Sequence, residues 1–316
     1  MNRSKAPAFH HPSNCVQVFF RSFYIPASAL LMALFLLQAT AVHAQGRIDC
    51  ASLNSKILHR SVRYCVLLPP SYGSSKTNKY PVLYFLHGLG ENEQTLLRSG
   101  GWGIIEDLRQ QHKIGDFLMV APEGRGTFFI DAAGPGDRYS EFFLSEFLPF
   151  IETHFRIIRD RKHRGVTGLS MGGFGALRMA FAHPELFGSV SAQSPALITE
   201  TPQQVNADLR DAGPLARVLG NVFGNPIDMP HWNANSPFSL AQRNRIALKN
   251  EAIYFNCGEQ DEFGFAEGAS KLHKQLAAEG IRHESHLYPG GHDAEYFLTH
   301  LHETIEFHSN VFGAGK

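Results

Sequence analysis

The sequence predicts an α/β fold, in which a mostly parallel twisted sheet carries helices on both faces. Short continuous apolar runs, such as residues 80–86, are typical of strands buried on both faces. Segments with apolar residues at helical spacing, such as residues 142–155, alternate with these runs. This alternation indicates parallel strands, because a crossover helix returns the chain so that each strand can run in the same direction.

The pattern places the elements in a definite order along the chain. A hairpin is predicted at residues 55–64. Strands are predicted at 62–68, 80–86, 117–121, 164–169, 188–192, 252–257 and 283–288. Helices are predicted at 104–111, at 142–155, from the end of the fourth strand to His183, at 266–279 with Gly280 as C-cap, and from the last strand to about 308. The polar groups that follow parallel strands meet at one edge of the sheet, and we expect the chemistry there.

Residues 197–236 break this alternation, because prolines and glycines interrupt them repeatedly. We interpret this stretch as a small lid or cap insertion rather than a second domain. Residues 45–316 are therefore expected to form one domain, and the insertion is where substrate preference would be set.

Residues 1–44 have the features of an export signal. Basic residues come first, an apolar core follows at 29–37, and Val42 and Ala44 are small residues before a cut after Ala44. The core is shorter than the ~20 apolar residues that span a bilayer, although an uncleaved anchor is the alternative. We expect an exported protein, periplasmic or extracellular, with no stable membrane span after cleavage.

The net charge and the cysteines indicate which partners and which cysteine pairing to expect. The formal net charge is zero, and removal of the three basic residues of the leader leaves a slightly acidic chain. That balance gives no electrostatic reason to expect a nucleic-acid partner. Cys50 and Cys65 flank the predicted hairpin and could pair in an oxidising compartment. Cys257 ends an apolar strand and is expected to be a buried thiol.

The nucleophile candidate is Ser170, in the G-x-S-x-G motif of residues 168–172. A serine hydroxyl becomes a nucleophile only when it stands clear of the sheet beside a base. A tight turn from strand to helix exposes it, and Gly168 and Gly172 leave room for that turn. The motif alone occurs by chance, but here an apolar strand precedes it and a helix follows, which favours a nucleophile elbow.

The base and the acid are expected after the serine, in the order acid and then histidine. Among 17 histidines, His292 follows a strand through a Pro-Gly-Gly sequence that lets a loop turn back over the elbow. Three carboxylates compete in the loop after the strand at 252–257. Asp261 is far enough along that loop to turn toward His292, whereas Glu259 or Glu262 is expected to be a solvated loop charge.

Two backbone N–H groups should stabilise the oxyanion of the tetrahedral intermediate. One belongs to the residue after the nucleophile, Met171. The other should come from the loop after the strand at 80–86, and we name Leu89, although its amide could point elsewhere. No spaced Cys and His set suggests zinc, and neither a phosphate-binding loop nor a dinucleotide-binding motif is present, so no metal or cofactor is expected.

Four spaced motifs together resemble the esterase D-like esterases of the α/β-hydrolase superfamily. This group includes tributyrin esterases, feruloyl esterases, S-formylglutathione hydrolases and the antigen 85 mycolyltransferases. The matching motifs are Leu86-His87-Gly88-Leu89-Gly90, Gly168-Leu169-Ser170-Met171-Gly172-Gly173, Cys257-Gly258-Glu259-Gln260-Asp261 and Pro289-Gly290-Gly291-His292-Asp293. The resemblance implies an α/β-hydrolase with Ser170, Asp261 and His292 as the triad, and oxyanion donors at Leu89 and Met171. Within this group the chain looks most like the tributyrin-esterase branch, through His87-Gly88-Leu89-Gly90-Glu91-Asn92.

The expected function is therefore that of an exported serine carboxylesterase that hydrolyses small or short-chain acyl esters through an acyl-enzyme. Its partner would be a small-molecule or carbohydrate-linked ester. One alternative is an acyltransferase of the antigen 85 type, and another is a feruloyl or acetyl esterase acting on carbohydrate. A binding protein without catalytic activity would be expected to lack a triad member, and none is missing.

Overall fold

An eight-stranded sheet forms the centre of the protein in the computed structural model, which describes residues 46–199, 204–205 and 214–314. The spatial order of the strands is β1-β2-β4-β3-β5-β6-β7-β8. The strands are β1 Arg47–Ser55, β2 Arg60–Leu68, β3 Val82–Leu86, β4 Leu118–Pro122, β5 Arg164–Leu169, β6 Ser189–Gln193, β7 Ala252–Gly258 and β8 Glu284–Tyr288. From β4 to β8 every neighbouring pair is parallel, which confirms the predicted sheet.

The antiparallel part of the sheet is the hairpin of β1 and β2, whose second strand also pairs antiparallel with β4. Cys50 and Cys65 lie directly opposite each other in the hairpin register, and they form a disulfide with a Cα–Cα distance of 4.1 Å. Cys257 is a free, buried thiol, as the sequence predicts.

Helices cover both faces of the sheet. They are α1 Ser71–Ser74, α2 Thr95–Arg98, α3 Gly101–Gln110, α4 Tyr139–Phe142, α5 Leu148–His154, α6 Met171–Ala182, α7 Pro214–Phe223, α8 Met229–Asn235, α9 Pro237–Arg243, α10 Phe265–Ala278, α11 Ala294–Thr299 and α12 Leu301–Phe312. A π-helical segment spans Phe143–Phe147, and a 3₁₀ turn spans Ala247–Asn250.

The core has two layers because alternate residues of each strand point to opposite faces. In β3, Tyr84 and Leu86 pack into the larger layer, whereas Leu83 and Phe85 pack into the smaller one. The smaller layer also contains Ile305 of α12. Burial on both faces explains why the central strands are continuous apolar runs.

The helix predicted at 142–155 is not one regular α-helix, because the π-helical segment separates α4 from α5. Pro149 lies in the first turn of α5. A proline has no N–H to donate and its ring crowds the preceding turn, which a locally wider turn accommodates.

Three other boundaries differ from the prediction. The final helix is divided at His300 into α11 and α12, and it continues to Phe312 rather than to about residue 308. The strand predicted from Tyr80 begins at Val82, and Tyr80 forms only an isolated bridge with Ile157. The C-cap of α10 is Glu279 rather than the predicted Gly280, which follows it and has a positive φ of 67° that suits the residue after a C-cap.

The predicted leader, residues 1–44, lies outside the described residues, as do parts of the insertion at 197–236. The described parts of that insertion include α7 and α8, which pack against the core through Phe223 and Trp232. Within the described residues, we find no helix with both the length and the apolar character needed to cross a membrane.

Candidate active site

Ser170 occupies a tight turn between β5, which ends at Leu169, and α6, which begins at Met171. Its backbone has φ 54° and ψ −117°, a region that non-glycine residues rarely adopt. A Cβ on Gly172 would lie 2.0 Å from the Leu86 carbonyl oxygen, and one on Gly168 would lie 2.3 Å from the Gly172 carbonyl oxygen. The turn therefore requires glycine on both sides of the serine.

His292 lies beside this serine. It belongs to the loop between β8 and α11, and its Nε2 is 2.9 Å from Ser170 Oγ. The next residue, Asp293, caps α11 by accepting a hydrogen bond from the Tyr296 N–H at 2.9 Å, which fixes the end of the loop. The rings of Phe263 and Phe297 pack edge-on against the imidazole. The imidazole is thus held in position at the hydroxyl.

Asp261 orients the other side of this imidazole. His292 Nδ1–H donates to Asp261 Oδ2 at 2.8 Å, which leaves Nε2 free to accept the Ser170 proton. Burial raises the pKa of Asp261, but the hydrogen bond and positive charge of His292, together with the Phe263 N–H and the Cys257 thiol, outweigh it, so that the pKa of Asp261 is lowered. The carboxylate is therefore charged at neutral pH, as an orienting acid requires.

The loops that carry Asp261 and His292 are bound to each other. The Gly290 N–H donates to Gln260 Oε1 at 2.8 Å, and the His292 N–H donates to Glu262 Oε2 at 3.0 Å. Sequence reasoning predicts only a solvated charge at Glu262 and does not identify this contact. No local signal could reveal it, because the contact arises from the pairing of β7 with β8.

Cys257 is a second residue whose contact the sequence does not reveal. Its thiol is fully buried and lies 3.5 Å from Asp261 Oδ2, within hydrogen-bond range for sulfur. Burial, the largest cause, raises the pKa of the Cys257 thiol to about 12, so the thiol remains protonated. The thiol therefore supplies a weak hydrogen-bond donor to the Asp261 carboxylate.

The loop after β3 carries Leu89, and the start of α6 carries Met171. Within the described residues, the N–H groups of Leu89 and Met171 have no hydrogen-bond acceptor. The preceding N–H, that of Gly88, donates to Glu91 Oε2 at 2.8 Å, which fixes the loop. β3 and β5 are parallel neighbours, so the two free N–H groups lie at the same edge of the sheet.

His87, at the end of β3, supports this loop. Its Nδ1–H donates to the Gly88 carbonyl oxygen at 2.8 Å, and its Nε2 accepts from the Gly124 N–H at 2.8 Å. Burial, the largest cause, lowers the pKa of His87, so the neutral ring can both donate and accept. Within the described residues, we find no group of three or more His, Cys, Asp or Glu side chains that could hold a metal ion.

Comparison with known proteins identifies the family. The model of the esterase family, described as "Putative esterase", matches residues 55–308. The chain belongs to this esterase family. The match includes Ser170, Asp261 and His292, and it confirms the family that the four sequence motifs predict.

Two relatives illustrate the range of the family. The chain is 31% identical over 72% of its length to the esterase Rv1288 of Mycobacterium tuberculosis, and this match covers 51% of the relative. The chain is 28% identical over 81% of its length to an acetyl esterase of Caldicellulosiruptor saccharolyticus, and this match covers 96% of that protein. The chain thus spans about half the length of the mycobacterial relatives that it matches.

Solved structures show the same fold. A ferulic acid esterase is 28% identical to the chain, with a TM-score of 0.71 over 85% of the chain and 99% of the esterase. An S-formylglutathione hydrolase from Staphylococcus aureus has a TM-score of 0.68 at 19% identity, over 84% of the chain and all of the hydrolase, and supports the fold alone. The predicted α/β-hydrolase fold is confirmed.

Proposed function

We propose that this member of the esterase family is a serine carboxylesterase that hydrolyses small or short-chain acyl esters without a cofactor. The observation that carries the proposal is the unbroken chain of hydrogen bonds from Ser170 through His292 to Asp261, with lengths of 2.9 and 2.8 Å. A serine with a base in contact, and a base with its own acid, is the arrangement that activates a hydroxyl.

Acylation follows from this geometry. Ser170 Oγ attacks the ester carbonyl carbon while His292 Nε2 accepts the hydroxyl proton. Asp261 stabilises the resulting imidazolium by accepting a hydrogen bond from His292 Nδ1–H. The negative charge on the former carbonyl oxygen is met by the N–H groups of Leu89 and Met171, which have no acceptor in the described residues. His292 then gives the proton to the departing alcohol, and an acyl-serine remains.

Deacylation repeats these steps with water. His292 Nε2 accepts a proton from the water, which attacks the acyl carbon, and the proton returns to Ser170 as the acid leaves. In the alternative function, an acyltransferase, a sugar or lipid hydroxyl replaces this water. Products of transesterification in the presence of added alcohols would distinguish the two.

The nucleophile is tested by one labelling experiment and one variant. A fluorophosphonate probe should add its mass to the peptide that contains Ser170. Ser170→Ala should keep the fold, measured by circular dichroism, and lower kcat by about 10⁴-fold or more. Labelling of a different serine, or turnover by the variant at the wild-type rate, would refute the assignment. A panel of p-nitrophenyl esters of increasing chain length, beside methyl ferulate and acetylated xylan, would define the acyl preference.

We also propose that the protein is exported and that residues 45–316 are its mature domain. The features of residues 1–44 support this proposal, and the disulfide between Cys50 and Cys65 is of a kind typical of oxidising compartments. The mass of the protein recovered from periplasm or medium should place the N-terminus at Gln45. Both cysteines of the hairpin should resist alkylation until they are reduced, and free thiols at both positions would contradict export in this form.

A further inference from the structure

The loop after β3, here called the oxyanion loop and comprising residues 88–91, is held more by hydrogen bonds than by packing. Leu89 is 39% exposed, and a Cβ built on Gly90 would meet no atom of the described residues within 4 Å. Gly90 has a φ of 83°, a left-handed conformation that glycine adopts without strain. The loop therefore depends on specific contacts to keep the Leu89 N–H where an oxyanion would form.

Glu91 contacts Gly88 twice and closes this loop. Its Oε2 accepts the Gly88 N–H at 2.8 Å, and its own N–H donates to the Gly88 carbonyl oxygen at 3.2 Å. The two hydrogen bonds join the first and last residues of the loop in a ring. The side-chain bond restrains the peptide before Gly88, and the backbone bond restrains the peptide after it.

The hydrogen bonds to the Gly88 carbonyl oxygen orient the Leu89 N–H. The Gly88 C=O and the Leu89 N–H belong to one trans peptide, in which they point in opposite directions. His87 Nδ1–H also donates to this carbonyl oxygen, at 2.8 Å. Because two donors hold the carbonyl on one side, the N–H faces the other side, where it has no acceptor among the described residues.

The oxyanion loop also lies directly against the turn that carries the nucleophile. A Cβ built on Gly88 would be 2.7 Å from Leu169 Cδ1 and 3.1 Å from Glu91 Oε2. Leu169 precedes Ser170 in the chain, so a shift of Gly88 would change the distance between the loop and the serine. Gly88 thus lies between the side chain of Leu169 and the carboxyl group of Glu91.

The contact between Glu91 and Gly88 does not depend on the charge of the carboxyl group. Partial burial, the largest cause, raises the pKa of Glu91, whereas the Gly88 N–H and the positive charge of His292 are among the causes that lower it. A carboxyl group has an oxygen that can accept the Gly88 N–H in both protonation states. A neutral amide oxygen at this position should therefore preserve the contact.

We propose that Glu91 is a positioning residue whose side chain holds the oxyanion loop so that the Leu89 N–H stays in the oxyanion site. The proposal rests on the ester hydrolysis described above, with Leu89 as an oxyanion donor. The role of Glu91 is indirect, since its carboxyl group acts through Gly88.

The first test compares Glu91→Ala with Glu91→Gln on p-nitrophenyl acetate. Glu91→Ala should lower kcat by about 3- to 10-fold, the effect of one lost hydrogen bond and less than the roughly 10²- to 10³-fold loss of a whole oxyanion donor. Acylation and deacylation both pass through an oxyanion, so kcat should fall whichever step limits the rate. KM should be nearly unchanged, because the donor acts on the transition state. Glu91→Gln keeps an acceptor and should remain within about 2-fold of wild type.

A trifluoromethyl ketone inhibitor tests the oxyanion site directly. Ser170 Oγ bonds to its carbonyl carbon, the hydroxyl proton passes to His292 Nε2, and the π electrons of the carbonyl move to its oxygen, which becomes an oxyanion. This adduct resembles the tetrahedral intermediate, so its inhibition constant should rise in Glu91→Ala by about the same 3- to 10-fold. A role limited to fold stability would lower the unfolding midpoint, measured by circular dichroism, and leave the inhibition constant of the folded enzyme unchanged.

Glu284→Ala is the matched control. Glu284 is an exposed glutamate at the start of β8, and its side chain makes no hydrogen bond or ion pair with the described part of the chain. Its removal should leave kcat, KM and the inhibition constant unchanged.

The outcomes separate this inference from the proposed function. Unchanged kcat and an unchanged inhibition constant in Glu91→Ala would overturn the inference and leave the esterase assignment in place. The inference also fails if Glu91→Gln is as impaired as Glu91→Ala, or if kcat falls without a matching rise in the inhibition constant. Turnover by Ser170→Ala at the wild-type rate would instead refute the proposed function.

Discussion

Glu262 provides the sharpest test of how the site is held together. Its Oε2 accepts the His292 N–H at 3.0 Å, and within the described residues its side chain makes no other hydrogen bond. Glu262→Ala removes the acceptor without touching the imidazole, Ser170 or the substrate. The loop that carries His292 then loses one of three described side-chain hydrogen bonds to the acid loop, the others being those of Gln260 with the Gly290 N–H and of Asp261 with His292 Nδ1.

The size of the effect follows from the contact. An intramolecular hydrogen bond contributes about 0.5–1.5 kcal/mol net, and the exposure of Glu262 limits the gain from its charge. A loss near the upper end of that range would lower the ratio of productive to displaced His292 positions by about 10-fold, because ~1.4 kcal/mol corresponds to a factor of ten in an equilibrium constant. We expect kcat for p-nitrophenyl acetate to fall by about 3- to 10-fold, with KM nearly unchanged.

Two variants serve as controls. Glu262→Gln keeps an oxygen acceptor for the His292 N–H, so its kcat should remain within about 3-fold of wild type. Glu259→Ala removes a neighbouring exposed carboxylate whose one described contact is the Gln260 amide at 3.5 Å, and it should have little effect. The reasoning is refuted if Glu262→Ala has the wild-type kcat, or if Glu262→Gln is as impaired as Glu262→Ala.

Three further predictions follow from single contacts. Asp261→Asn should lower kcat by about 10⁴-fold, because the imidazole loses its orienting charge, and the wild-type rate in steady-state assays would exclude Asp261 as the acid. Gly172→Ala should destabilise the fold strongly, by roughly 3 kcal/mol or more, because its Cβ would meet the Leu86 carbonyl at 2.0 Å; urea unfolding measures this, and an unchanged midpoint would contradict the turn geometry. Burial raises the pKa of Glu251 to about 8, although Arg161 opposes this shift. The folded state then binds more protons than the unfolded state between about pH 4.5 and 8, so stability falls as pH rises through that window. Glu251→Gln should reduce the change of Tm with pH over the same range. Parallel curves of Tm against pH for the wild type and the variant would contradict the raised pKa of Glu251.

The sequence by itself was sufficient for the fold and the family. The apolar runs at 80–86 and 117–121 predict buried parallel strands because such strands have no solvent-facing side to fill with polar residues. The G-x-S-x-G motif predicts the elbow because the turn itself excludes a side chain at residue 168, whose Cβ would lie 2.3 Å from the Gly172 carbonyl oxygen, although the close contact at residue 172 is with Leu86 of the neighbouring strand. Local patterns of this kind are readable without knowledge of the rest of the chain.

Contacts between distant segments could be decided only by the tertiary structure. Ser170 and His292 are 122 residues apart, and their separation of 2.9 Å depends on the order of β5, β6, β7 and β8 in the sheet. The contact of Glu262 with the His292 backbone and the contact of the Cys257 thiol with Asp261 arise in the same way. No periodicity encodes them, because each depends on where two loops end after separate strands have paired. The π-helical segment before Pro149 is the opposite case, a local adjustment that the helical spacing at 142–155 conceals.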